Sequence, residues 1–115
     1  MGRVSYPSVE VLAPANYVTA LDGFTLRPNL SYVRKSGGVV TVYLNFITEN
    51  ALEPGTNYDA FTLDATITPR KNVLFNVGVG MNEGVCFGST GNVKLNVRNS
   101  VAAGSSIYVG ATYLV

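Results

Sequence analysis

The sequence predicts an all-β fold: an antiparallel β-sandwich or barrel folded as one domain. Three observations lead there. Apolar side chains recur at every second position in five separate stretches, the period of a half-buried strand. Glycine- and asparagine-bearing turn sequences separate those stretches. No stretch keeps apolar residues at three- and four-residue spacing without β-branched or glycine interruption, so no long amphipathic helix is expected. At 115 residues the chain is long enough to close a core without disulfide or metal staples.

The first third is the least regular. Val9, Val11 and Ala13 alternate and predict a lead strand, with a turn at Pro14-Ala15-Asn16. An irregular strand then leads to Leu30–Lys35. Residues 1–16 are assigned to this lead segment and 17–115 to the body of the domain.

The segment RKSGGVVTVYLNFIT, 34–48, opens with a hairpin turn at Ser36-Gly37-Gly38 and continues as an uncharged strand. Val40, Val42, Leu44 and Phe46 share one face, which predicts core. Val39, Tyr43 and Ile47 make the other face half-apolar too, and Tyr108 lies on the corresponding face of the last strand. These four are candidates for packing against a second copy of the chain, or against a second sheet of the same chain. A loop at Glu53–Asn57 precedes a strand over 60–67, on which Phe61, Leu63, Ala65 and Ile67 would share a face. NVLFNVGVG, 72–80, is the next strand, followed by a hairpin tip at Asn82-Glu83 and a short strand over 85–88. The alternating glycines Gly78 and Gly80 are read as points of close backbone approach. A turn at 89–92 leads into 92–98, where Val93, Leu95 and Val97 face inward. After Ala103-Gly104-Ser105, the strand 106–115 sets Ile107, Val109, Ala111, Tyr113 and Val115 on one side.

Composition limits the function. Charged residues are 13% of the chain, about half the usual share, and the net charge is +1. That balance offers no footprint for nucleic acid or an anionic membrane, and so little charge suggests a surface covered by copies of the chain. No apolar run approaches a membrane span and no secretion signal opens the chain, so cytoplasmic synthesis without membrane insertion is expected.

Chemistry-bearing motifs are scarce. With no histidine, the commonest general base and metal ligand is missing. Cys86 is the single cysteine, in an apolar VCFG context that suits a buried, unreactive thiol. No phosphate loop, dinucleotide fingerprint or nucleophile elbow occurs. Glu49, Glu53 and Asp59 could line one loop, but acidic loop residues more commonly keep a surface wet. No enzyme activity, cofactor or metal is expected. For a ligand, Tyr58 flanked by Asn57 and Asp59 would offer a ring and hydrogen-bonding neighbours in a loop. Arg70, Asn82 and Glu83 are further polar loop candidates.

The succession SYVRKSGGVVTVYLNF, FTLDATITPRKNVLFNVGV, GNVKLNV and SSIYVGATYLV, spanning roughly residues 17–115, resembles the C-terminal head domain of tail-fibre and baseplate receptor-binding proteins from phages of Gram-positive bacteria. The resemblance implies a jelly-roll-like β-sandwich or barrel that assembles as a homotrimer at the tip of a virion's tail. It implies binding to a host cell-wall or cell-surface saccharide during adsorption, without a cofactor. The alternative is a structural connector that docks another baseplate protein.

Overall fold

The computed structural model describes residues 9–78, 82–88 and 90–115, with the backbone alone at 82 and 83. Among them are ten strands: β1 (Val9–Leu12), β2 (Val18–Ala20), β3 (Phe24–Leu26), β4 (Tyr32–Ser36), β5 (Val39–Thr48), β6 (Asn57–Leu63), β7 (Val73–Val77), β8 (Asn82–Cys86), β9 (Asn92–Asn96) and β10 (Ser106–Leu114). All pair antiparallel in one sheet, in the order β1-β4-β5-β10-β7-β8-β9-β6-β2, with β3 beside the far half of β5. This is the all-β, antiparallel fold that the alternation predicts. β1, inside the 1–16 lead segment, pairs with β4 and so belongs to the same sheet.

The sheet curls into a half-barrel around a continuous apolar core. Val40, Val42, Leu44 and Phe46 of β5 are buried, as their shared face requires. The rings of Phe46 and Phe61 stack at 4.8 Å, which brings β5 and β6 together although four strands lie between them in the sheet. The β2–β3 turn ties the curl, because Leu21 N–H donates to the Ala60 carbonyl at 2.9 Å. The Gly37-Gly38 hairpin works as the sequence suggests: Gly37 takes φ +58°, which a side chain would resist, and Ser36 pairs directly with Val39.

Three expectations need correction. β6 begins at Asn57, three residues before the predicted start, and it ends at Leu63. Beyond it Ala65–Ile67 form a single 3-10 turn capped by the Asp64 carboxylate, which accepts from the Thr66 amide at 3.1 Å. Ile67 is buried but Ala65 is exposed, so the four supposed face-mates are not one strand face. Asn82 and Glu83 sit in β8 rather than at a hairpin tip. Pro14–Tyr17 form one helical turn in place of a plain turn, with proline at the helix start, where its missing N–H costs nothing. The expected strand positions Val79 and Gly80 and the turn residue Ser89 lie outside the described residues.

One buried polar group is held by a network. Asn45 is fully buried on the outer side of β5, where residues 27–31 cross it. Its backbone N–H donates to Ser31 Oγ at 2.8 Å and its Nδ2 to Ser106 Oγ at 3.0 Å. Asn45→Ala keeps the backbone bond, loses the side-chain bond to Ser106 and is expected to cost about 0.5–1.5 kcal/mol, the usual net worth of a hydrogen bond. Chemical denaturation would read this directly, and an unchanged midpoint would mean that water replaces the side chain.

Candidate functional site

Exposed apolar side chains are concentrated on one surface. Among the described residues nine large apolar side chains are exposed, and all but Leu30 lie on the outer face of β1, β4, β5, β10 and β7. Register divides this face in two. Val9, Ser36, Val39 and Leu114 are successive cross-strand partners, with Val11 and Leu74 one row further along. This half carries the exposed aliphatic side chains, with the exposed Arg34 between Val11 and Thr41 in the second row. Towards the other end Tyr32 pairs with Tyr43, Tyr43 with Gly110, and Gly110 with Asn76.

The second half is a shallow trough of about 690 Å³. Its aromatic floor comes from Tyr32, Tyr43 and Tyr108, with ring centroids 5.7 Å apart for the first pair and 5.6 Å for the second. Two glycines make room for the rings. A Cβ on Gly110 would stand 3.5 Å from Tyr43 Cδ2, and one on Gly78 would stand 3.3 Å from Tyr108 Cβ. Tyr43 is thus in contact with a glycine of β10 and Tyr108 with the glycine that follows β7, and both help to cover bare backbone. Beside them the Thr41 and Thr112 hydroxyls share a hydrogen bond at 3.0 Å.

The candidate ligand residues are distributed unevenly. Asn57, Tyr58 and Asp59 lie on strand β6, not in a loop. Tyr58 packs on the core and its hydroxyl accepts from Glu53 N–H at 2.7 Å, so the side chain holds the preceding turn and does not offer a platform. Asn57 accepts from Asn96 Nδ2 at 3.0 Å, and Asp59 lies 3.5 Å from Lys94 Nζ. Together with Asp22 and Phe24 these three line a second groove of about 540 Å³ beside the β2–β3 turn. Glu83 falls in the same row as Asn57, since both pair in register with Asn96, and Asn82 adjoins it. Arg70 is not with them. It follows the end of β6 opposite to Asn57, where its N–H donates to the Leu114 carbonyl at 3.4 Å.

Of the four residues assigned to a second-face contact, Val39, Tyr43 and Tyr108 are exposed on one face, while Ile47 is half-buried with β3 and β10 on either side. The loop carboxylates have separate partners: Glu49 accepts from Thr25 Oγ1 at 2.7 Å and Glu53 from Ser100 Oγ at 3.0 Å. No three His, Cys, Asp or Glu side chains gather as a metal-holding group among the described residues. Cys86 is buried, and burial pushes its thiol up to about 11.

Reading the sequence strand by strand overlooks Tyr32, Thr41, Gly110 and Thr112. The hairpin holds the signal for Tyr32: pairing Ser36 with Val39 sets Tyr32 opposite Tyr43, four residues along each strand. Gly110 and Thr112 carry no local signal, because their placement depends on β10 pairing with β5.

No protein-family model matches the chain, and no curated protein matches it. Among solved structures it is similar to the fibre head domain of the atadenovirus snake adenovirus 1, with 14% identity, coverage of 97% of each chain and a TM-score of 0.46.

Proposed function

We propose that this chain is the head domain of a viral fibre or baseplate protein, a homotrimer that binds host surface saccharide during adsorption without chemical turnover. It would sit at the tail tip of the virion. The carrying observation is the gathering of eight exposed apolar side chains on a single outer face, whose five aliphatic members form a patch that a second copy would cover. The aliphatic half, with Val9, Val11, Val39, Leu74 and Leu114, is the part suited to self-association. The sequence resemblance to phage head domains supplies the trimer and the saccharide.

Light scattering on the full chain tests the assembly. The expected mass is three times the 12.2 kDa of one chain. Leu114→Glu places a charge in the aliphatic half, beside Val39, and is expected to yield monomer with an unchanged circular dichroism spectrum. A wild-type monomer would overturn the trimer, and a glycan screen without any binding would overturn the saccharide.

The second reading is a connector that docks another baseplate protein. β1 favours it: this strand ends the sheet, with Val9 and Val11 exposed on its outer side, and an end strand can pair with a strand from another protein. A monomer that binds no glycan but captures a purified baseplate partner would select it.

A further inference from the structure

We propose that the tyrosine trough, and not the groove at Asn57–Asp59, holds the saccharide, and that the saccharide is a neutral oligosaccharide. This rests on the reading of the chain as a saccharide-binding head and deepens it by naming the site and the ligand class.

Charge separates the two grooves. None of the eleven residues lining the trough is charged, whereas the other groove presents Asp22 and Asp59. A ligand with a carboxylate or sulfate would lose hydration in the trough and meet a single cation at its edge, Arg34 beside Thr41, and burying an incompletely paired charge is costly. A neutral polyhydroxyl chain meets no such penalty. Ring exposure points the same way. Tyr32, Tyr43 and Tyr108 are each about 40% exposed, so ring surface stays open to a ligand. Such a surface suits the C–H side of a pyranose, which is apolar. The hydroxyl side of the sugar has partners close by. In the Thr41–Thr112 pair one hydroxyl donates to the other, and the accepting hydroxyl keeps its own hydrogen for a ligand. The Asn76 amide, in the Tyr43–Gly110 row, adds a donor and an acceptor. A second copy of the chain is the less suitable occupant. The bulky exposed aliphatics that would drive such a contact lie in the other half of the face, and the trough sets its tyrosines among threonine hydroxyls and glycines.

The test uses tyrosine ring carbons labelled in the full-length chain, with signals assigned by single Tyr→Phe variants. Neutral, acidic and basic oligosaccharides are titrated in turn. The expected result is a saturable shift of the Tyr32, Tyr43 and Tyr108 signals with a neutral oligosaccharide, while Tyr17 and Tyr58 stay unmoved. Tyr43→Ala is then expected to weaken binding about tenfold, the scale of one aromatic contact, with Tyr108→Ala as an independent second variant. Shifts confined to Tyr17 or Tyr58 would overturn the trough but leave a saccharide-binding head standing. A preference for acidic oligosaccharides would overturn the ligand class. Protection of the three rings in the ligand-free oligomer, relieved on dissociation, would give the trough to a second copy and overturn the proposal. If no oligosaccharide binds, the trough and the function on which it rests both fall.

Discussion

Phe61→Ala is expected to lose about 3–5 kcal/mol of folding stability, the cost of truncating a fully buried phenylalanine. Phe61 is completely enclosed, stacks on Phe46 at 4.8 Å and meets Phe75 at 6.2 Å. It therefore links three strands, β6, β5 and β7, across the interior of the half-barrel. A domain of this kind has roughly 5–15 kcal/mol in total, so one ring carries a large share. The melting temperature should fall by roughly 10–20 °C. Phe61→Leu keeps most of the volume and should cost much less, which separates cavity formation from a general intolerance of change at this position. A loss under about 1 kcal/mol for the alanine variant would mean that β6 can collapse onto β5 without this ring.

The same residue shows where sequence reading stops. Strands whose side chains alternate regularly, such as β5 and β10, are visible from period alone. β6 is not, because its pairing with β9 slips between Asp59 and Phe61. That bulge turns Ala60 and Phe61 both inward, and a period-two reading fails at the point where two neighbours share a face. Asn57–Asp59 then look like loop residues, and Tyr58 like a solvent-facing ring. Ile67 misleads in the opposite sense. It is buried through a 3-10 turn, yet its distance from Leu63 is the one a straight strand would give.

The candidate site divides along the same line. Tyr43 and Tyr108 are legible as second-face residues because each belongs to a cleanly alternating strand. Their meeting with Gly110, Gly78 and one another depends on β5–β10 and β10–β7 pairing, between segments distant in sequence, and single-strand patterns do not encode register at that range. Arg70 is separated from Asn57 for a similar reason. Both look like polar loop residues in sequence, but Asn57 opens β6 whereas Arg70 follows its far end and bonds to the end of β10.

Alkaline unfolding should begin near pH 9 and be traceable to two buried groups. Cys86 and Tyr113 both sit in the core. Burial raises the Cys86 thiol from its ordinary 9.0 to about 11. Burial, with a smaller contribution from the Cys86 thiolate, raises the Tyr113 phenol well above its ordinary 10.0. The neutral phenol donates to the Ile67 carbonyl at 2.6 Å, a bond that anchors the 3-10 turn to β10 and is lost on ionisation. Above their unfolded values both groups hold protons in the folded chain that the unfolded chain has already released. Stability is thus full below about pH 9 and falls as pH rises, by about 1.4 kcal/mol per pH unit for each group in its window. Between about pH 10 and 11 the two windows overlap and the slope should roughly double. Tyr113→Phe gives up about 1 kcal/mol at neutral pH, since the Ile67 carbonyl loses its donor, but it should remove the steeper upper part of the decline. Adding Cys86→Ala should remove the part that starts near pH 9. Urea midpoints measured from pH 7 to 11.5 would show both effects. If the double variant declines as steeply as the wild type, alkaline unfolding starts from other groups and the core pair is not its trigger.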